Sequence, residues 1–236
     1  MKKIMVFVLS LIVTISLVGP VQSSAKVVDK NKNKISDSWE KKYKLTGKNL
    51  AKKDPDRDGL SNLVEYRLKL NPKKKDTNNN KVPDGREDTD RDGISNLAEI
   101  DLGLNPAKAY SKKKNVKDGN LKDVSGVAWS KKVKELDISI ESGRKELDVE
   151  YEIIKGKEKI LIEQTGYNLT KKQVRTLVTQ LQNDITNKTS KTKILNKIKN
   201  QFNLSGYYEI DIELEYMNGR EIEISQEIEN PNDDDD

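Results

Sequence analysis

Asp, Asn and Glu residues recur in the N-terminal half of the chain at the spacing of a calcium-binding loop. Four segments carry oxygen-bearing side chains at positions 1, 3, 5, 9 and 12: loop 1 (29–40), loop 2 (54–65), loop 3 (76–87) and loop 4 (88–99). A calcium ion takes about six to eight oxygen ligands, which such a loop supplies from its side chains and from the backbone carbonyl at position 7. The sequence therefore predicts metal sites built from oxygen atoms alone.

The spacing names a full set of predicted ligands. All 20 side-chain positions hold Asp, Asn or Glu, and a general preference of these residues for turns does not explain a Glu at position 12 every time. The predicted side-chain ligands are Asp29, Asn31, Asn33, Asp37 and Glu40 in loop 1; Asp54, Asp56, Asp58, Asn62 and Glu65 in loop 2; Asp76, Asn78, Asn80, Asp84 and Glu87 in loop 3; and Asp88, Asp90, Asp92, Asn96 and Glu99 in loop 4. The predicted carbonyl ligands are those of Ile35, Leu60, Val82 and Ile94.

The four loops differ in expected affinity for calcium. Loops 2 and 4 each bring four carboxylates, and loops 1 and 3 bring three. Position 6 requires a positive φ, which Gly adopts freely, but Lys34 and Lys81 occupy that position in loops 1 and 3. Up to four ions are therefore expected, with loops 2 and 4 filling first.

Residues 54–72 and 88–106 are two copies of one repeat, with 13 identities in 19 positions. Tandem Asp-rich loops with Asn-Leu-x-Glu inside and Asn-Pro after them resemble bacterial thrombospondin type-3 calcium-binding repeats, over residues 29–106. The resemblance implies a calcium-ordered, elongated module of exported bacterial proteins, and it implies no catalysis.

The composition narrows the possible chemistry further. The chain has neither His nor Cys, which excludes disulfides, thiolate zinc sites and nucleophiles activated by histidine. Only 33% of residues are hydrophobic and 35% are charged, so the N-terminal half has little apolar surface to bury. Its short predicted helices must draw stability from bound ions and neighbouring loops.

The chain divides into five predicted segments. A basic start, an apolar centre and a small-residue end predict a cleaved signal peptide, so we expect a secreted, extracellular protein, in the medium or at the cell wall. No transmembrane span is expected in the mature chain. The segments are the signal peptide (1–25), the calcium-binding repeat module (26–114), a linker (115–128), an α+β domain (129–229) and an acidic disordered tail (230–236).

Residues 129–229 show five stretches of alternating apolar residues, with two helical stretches between the third and the fourth. Thr170 and Gln173 predict a capping box, and Asn218-Gly219 predicts the last hairpin. The predicted fold class is thus calcium-stabilised loop–helix repeats plus a small α+β domain (βββ-αα-ββ), an antiparallel sheet with two helices on one face. The strand pattern and order resemble YusW-like domains of exported bacterial proteins, a resemblance that implies no activity.

Charge suggests further partners. Residues 26–114 carry 23 basic and 15 acidic residues, a net charge of +8, and residues 115–236 carry 19 basic and 24 acidic ones, a net charge of −5. The two parts could dock through these opposite charges. The basic module also favours anionic wall polymers as partners, whereas few aromatic residues and the expected export argue against nucleic acid.

The favoured hypothesis is an exported, non-enzymatic calcium-binding protein whose loops order an extended module carrying the α+β domain. Two alternatives stay open: an inhibitor or binding domain for another exported protein, and a small secreted hydrolase with structural calcium. The hydrolase would use paired carboxylates of the outer sheet face, although their strict alternation favours a solvated surface. A cleft with two inward-facing carboxylates would favour the hydrolase, and an exposed apolar groove would favour the binding domain.

Overall fold

The computed structural model describes residues 27–123 and 125–229, so the predicted signal peptide and acidic tail lie outside it. Three short helices occupy the N-terminal part: α1 (Asp37–Lys42), α2 (Asn62–Leu68) and α3 (Asn96–Leu102). Each includes the position-12 Glu of its loop. At six or seven residues, none is long enough to be stable in isolation. Their stability must therefore come from the loops that precede them.

The C-terminal part is a five-stranded antiparallel sheet with two longer helices, which confirms the α+β class. The sheet order is β3-β2-β1-β4-β5. The strands are β1 (Val133–Ser142), β2 (Lys145–Ile154), β3 (Lys157–Thr165), β4 (Tyr208–Tyr216) and β5 (Glu221–Ile228), and the helices are α4 (Lys171–Thr186) and α5 (Lys191–Gln201). Thr170 and Gln173 form the predicted capping box at the start of α4.

The core of this sheet follows the alternation of the sequence. On β1, Leu136, Ile138 and Ile140 are buried, and they stand opposite apolar residues of β2 and β4 in register. Buried residues of α4 and α5, such as Leu181 and Ile194, belong to the same hydrophobic cluster. The polar residues of the strands therefore lie on the other face of the sheet.

The two parts of the chain are joined by apolar and backbone contacts. Ile94 of loop 4 and Ala98 of α3, both fully buried, belong to the same hydrophobic cluster as the sheet residues. The backbone N–H of Ser95 donates to the carbonyl of Met217, beyond the end of β4, at 2.7 Å. Arg86 forms ion pairs with Glu221 and, at 3.8 Å, with Glu215. Charge contributes to this junction, but its centre is apolar.

The segment that the sequence predicts to be a linker contains ordered turns. Residues 118–120 and 129–131 form short 3-10 helices, as do residues 50–52 and 84–86 in the repeats. Asp118 in this segment is fully buried, and a buried carboxylate needs partners. Among the described residues, no helix combines the length and the apolar composition that crossing a bilayer requires.

Candidate metal centres

All four predicted loops are shaped by hydrogen bonds between backbone N–H groups and their own side chains. The Asp at position 1 accepts from the N–H of position 6 at 2.7–3.1 Å, and the oxygen at position 5 accepts from the N–H of position 7 at 2.7–2.9 Å. Position 6 adopts the expected left-handed conformation throughout, with φ of 72° at Lys34, 93° at Gly59, 73° at Lys81 and 102° at Gly93. The two Lys residues are therefore held in a strained backbone conformation.

In loops 2, 3 and 4 the side chain at position 9 reaches outside its own loop. Asp84 was assigned to loop 3 by spacing, but its carboxylate lies beside Asp58 and Glu65 of loop 2, with oxygens of all three within 4.8 Å of one another. It also accepts hydrogen bonds from the backbone N–H of Thr77 at 2.9 Å and from its hydroxyl at 2.6 Å. Asp84 therefore connects loop 3 to the carboxylates of loop 2.

The other position-9 side chains make structural contacts. The amide of Asn96 donates to the carbonyl of Asp84 at 2.7 Å, and the amide of Asn62 donates to the carbonyl of Leu50 at 2.8 Å. In loop 1, Asp37 accepts from the backbone N–H of Lys30 at 3.0 Å. Position 9 thus joins consecutive segments of the module in loops 2 and 4, and it closes the loop on itself in loop 1.

Centre 2 consists of five carboxylates gathered around loop 2: Asp54, Asp56, Asp58, Glu65 and Asp84. Glu65 is fully buried, and neither of its oxygens has a hydrogen-bond partner; both oxygens of Asp56 are likewise buried without one. Burial, reinforced by the charges of Asp56 and Asp58, raises the pKa of Glu65 to about 9. Burial also raises the pKa of Asp58 to about 6. Buried carboxylates without partners are costly unless a cation neutralises them.

Centre 4 repeats this arrangement around loop 4 with Asp88, Asp90, Asp92, Glu99 and Asp118. Both oxygens of Asp90 and both oxygens of Glu99 are buried without hydrogen-bond partners. Burial and the neighbouring carboxylates raise the pKa of Glu99 to about 9 and that of Asp90 to about 6. The same cluster of buried carboxylates without hydrogen-bond partners therefore occurs at two places 34 residues apart.

Loops 1 and 3 satisfy their position-12 Glu differently. The amides of Asn31 and Asn33 donate to Glu40, and those of Asn78 and Asn80 donate to Glu87. Within the described residues, no group of three acidic side chains forms around either Glu. A half-turn of each amide would present its oxygen in place of its nitrogen. These loops therefore hold candidate ligands, with weaker electrostatic attraction for a cation.

The residues that carry the predicted carbonyl ligands at position 7 set loop 3 apart from the other three loops. The side chains of Ile35, Leu60 and Ile94 are fully buried, whereas Val82 of loop 3 is 38% exposed. A buried side chain beside the loop keeps water away from it and strengthens electrostatic attraction to an ion. Loop 3 is thus the most open of the four.

Asp118 is the one centre ligand that the loop pattern did not identify. It belongs to a fifth loop, loop 5 (110–121), in which the N–H of position 9 donates to the carbonyl of the residue before the loop, as in loops 1–4. Loop 5 lacks acidic residues at positions 1, 3, 5 and 12. The signal that could have found it is the Asp118-Gly119 pair, 34 residues after Asp84-Gly85.

The two Asp-Gly pairs have a packing reason. A Cβ on Gly85 would collide with the carbonyl oxygen of Asp58, and a Cβ on Gly119 would collide with that of Asp92. Only Gly lets the backbone of the following loop approach the strong loop closely enough to deliver its Asp. The fifth ligand of each centre therefore depends on a close backbone contact between loops.

The acidic residues of the outer sheet face form rows of like charge. Asp137 on β1 stands opposite Glu150 on β2 and Glu213 on β4, and burial together with these two carboxylates raises its pKa. Directly opposed like charges destabilise a sheet. Asp137 and Glu150 line depressions of about 360 and 340 Å³ on this face. Glycoside hydrolysis would need two carboxylates that face each other across a cleft.

A groove of about 620 Å³ runs between α4 and α5. Its floor includes Leu181 and Ile194, which are only 1% and 2% exposed, and its rim is polar, with Asn183, Asp184 and Lys197. Leu177 and Ile198 also line it, and more of its accessible lining is apolar than polar.

Comparison of the chain with known protein families, with curated proteins and with solved structures finds no match. The inference of function consequently rests on the geometry of centres 2 and 4.

The position of Asp84 predicts a specific coupling of mutations. Asp84→Asn and Glu65→Gln should each weaken the binding of calcium at centre 2 by about tenfold or more, since affinity follows the number of charged ligands. Their effects should be non-additive, because both residues serve one ion site. Calorimetric titration of the two single variants and the double variant measures this coupling.

Asp84→Asn combined with Glu87→Gln of loop 3 is the matched control. Their effects are expected to add, because the structure places the two carboxylates in different sites. Coupling of Asp84 to Glu87 in place of Glu65 would show that Asp84 binds within its own loop.

Proposed function

We propose that this chain is an exported, non-enzymatic calcium-binding protein whose loops order an extended module that carries the α+β domain at the cell surface or in the medium. The observation that carries the proposal is the set of buried carboxylate oxygens without hydrogen-bond partners at centres 2 and 4. Each centre gathers five carboxylates, an arrangement that is stable only when positive charge balances it.

Calcium fits these centres better than other common metal ions. The donors are exclusively oxygen, and the chain has no His or Cys, which argues against zinc, copper and nickel. Magnesium requires near-octahedral geometry and gives up its water reluctantly. Calcium accepts more oxygen ligands in an irregular shell, as a loop with five nearby carboxylates provides. When bound, calcium supplies the charge that allows these carboxylates to lie together in the folded chain.

The proposed role as a non-catalytic module rests on sequence and on the sheet face. The hydrolase alternative would depend on the carboxylates of the sheet, and those follow every second residue of the strands, as on a solvated sheet face. Export, and the predicted anionic wall polymers or exported protein partners, are supported by the basic repeat module and the N-terminal sequence. Fractionation of cells into wall, membrane and medium tests the location.

The proposal predicts an order in which the loops fill. Calorimetric titration of the chain lacking residues 1–25 with calcium should show tight binding at centres 2 and 4 and weaker binding at loops 1 and 3. Glu65→Gln should remove a tight binding event, because Glu65 is a buried carboxylate without other partners. Glu40→Gln is the matched control at position 12 of loop 1, where two Asn amides already contact the Glu.

The ranking is wrong if the two variants lose the same amount of binding. The calcium proposal itself is wrong if equilibrium dialysis at millimolar calcium finds no ion retained by the unmodified chain.

A further inference from the structure

Centre 4 lies directly against the core of the α+β domain. Ile94 belongs to loop 4 and Ala98 is one residue before the ligand Glu99, yet both are members of the hydrophobic cluster of the sheet. All three residues are fully buried. The helix α3 therefore presents its carboxylate to the metal centre and its apolar side chain to the sheet core.

Backbone hydrogen bonds tie the same loop to the end of the sheet. The N–H of Ser95 donates to the carbonyl of Met217 at 2.7 Å, and the N–H of Met217 donates to the carbonyl of Lys132 at 2.9 Å. Met217 lies in the turn between β4 and β5, and Lys132 directly precedes β1. Hydrogen bonds through Met217 thereby connect loop 4 to the turn between β4 and β5 and to the start of β1.

Centre 2 has a matching set of carboxylates, but it contacts the sheet only through loop 3, where Arg86, two residues after Asp84, pairs with Glu215 and Glu221. The buried residues of α2 are Asn62 and Glu65, and α2 packs on the 3-10 helix 50–52. Neither Leu50 nor Leu60, the buried apolar residues around this centre, belongs to the hydrophobic cluster of the sheet. The two centres therefore share a ligand set and differ in what they pack against.

We propose that the ion bound at centre 4 controls the stability of the α+β domain, whereas the ion at centre 2 acts mainly on the repeat module. This inference rests on the proposed function, because it requires an ion at centre 4. With the ion bound, the five carboxylates hold α3 in the sheet core. Without it, their repulsion favours withdrawal of α3, which removes Ile94 and Ala98 from the core and frees the hydrogen bond to Met217. Anything that binds only the folded state stabilises it, and here that effect extends into the sheet.

The repeat supplies a matched pair of variants for the test. Glu99→Gln and Glu65→Gln change the same position of two loops 34 residues apart. In the presence of calcium, hydrogen exchange of the β4 and β5 amides should be about tenfold faster in Glu99→Gln than in the unmodified chain, because the sheet opens more often. Glu65→Gln should change exchange in these strands much less, because centre 2 contacts the sheet only through Arg86 of loop 3.

Tryptophan fluorescence provides a second readout. The chain has two Trp residues, and Trp39 lies in α1, far along the chain from Trp129, which packs against the sheet core. In a Trp39→Phe background, Trp129 alone reports on the junction. Its emission should shift to longer wavelength when EDTA removes calcium, and the shift should persist in Glu65→Gln but be present already with calcium in Glu99→Gln.

The outcomes separate this inference from the proposed function. If calorimetry shows calcium binding but EDTA changes neither exchange in β4 and β5 nor Trp129 emission, the proposed control of the sheet is wrong and calcium binding stands. Equal effects of Glu65→Gln and Glu99→Gln on the sheet also overturn it. If the unmodified chain binds no calcium, both proposals fail. If Glu99→Gln does not fold, the test uses the unmodified chain. Hydrogen exchange in β4 and β5 is then compared with and without EDTA, and an unchanged rate overturns the inference.

Discussion

Removal of calcium with EDTA is expected to make trypsin cut the repeat module at least about tenfold faster, because local unfolding exposes its cleavage sites. The module offers 23 Lys and Arg residues within 26–114, so opening at any loop is detectable. The physical reason is that buried carboxylates at centres 2 and 4 have no hydrogen-bond partner and need a cation to balance their charge. Limited proteolysis followed by mass spectrometry identifies which loops open first.

Restoring calcium is the control for this experiment, and it should return the module to its resistant form. Magnesium at the same concentration should protect less, because it is reluctant to give up its water for a crowded carboxylate shell. Equal resistance with and without EDTA would contradict the claim that ions hold the module together.

Acidification should partly replace calcium. Burial raises the pKa of Glu65 and Glu99 from their ordinary value of 4.5 to about 9 in the folded, metal-free chain. Between these two pH values the folded state binds more protons than the unfolded state, so the free energy of unfolding falls as pH rises. In EDTA, lowering the pH from 9 to 5 should therefore stabilise the module by at least about 2 kcal/mol. Far-ultraviolet circular dichroism and urea denaturation across this range measure the effect.

The same groups predict the opposite trend with calcium present. Protons compete with the ion for Glu65 and Glu99, so calcium affinity should fall as the pH falls. The double variant Glu65→Gln/Glu99→Gln is the control, because Gln does not titrate and should remove most of the pH dependence in EDTA. A metal-free chain that becomes less stable on acidification would show that these carboxylates are solvated.

Local features of the fold were predictable because they depend on residues close in sequence. The capping box of Thr170 and Gln173 is a contact within one helical turn, and the left-handed bend at position 6 of each loop follows from the six residues around it. Even Lys34 and Lys81 adopt that bend, since the hydrogen bonds of the loop to its position-1 Asp require it.

Contacts between loops were not predictable from spacing alone. Counting along the chain assigns Asp84 to loop 3, but the approach of Gly85 to Asp58 places its carboxylate at centre 2. Asp118 was missed because Tyr110, Lys112 and Lys114 replace the acids that mark a calcium loop. The burial of Ala98 in the sheet core was not predictable for a different reason. A single small residue in a seven-residue helix gives no periodic signal.

Each strong loop takes its fifth carboxylate from the loop that follows, so a strong loop and the loop after it form one unit, which repeats after 34 residues. The last strong loop then needs one further loop that supplies an Asp but has too few acidic side chains to form a centre of its own. Loop 5 has this form: it keeps Asp118 and Gly119, and lysines stand at two of the positions where earlier loops carry chelating side chains. A chain that ends before residue 118 would lack the fifth carboxylate of centre 4, whereas centre 2 would keep all five.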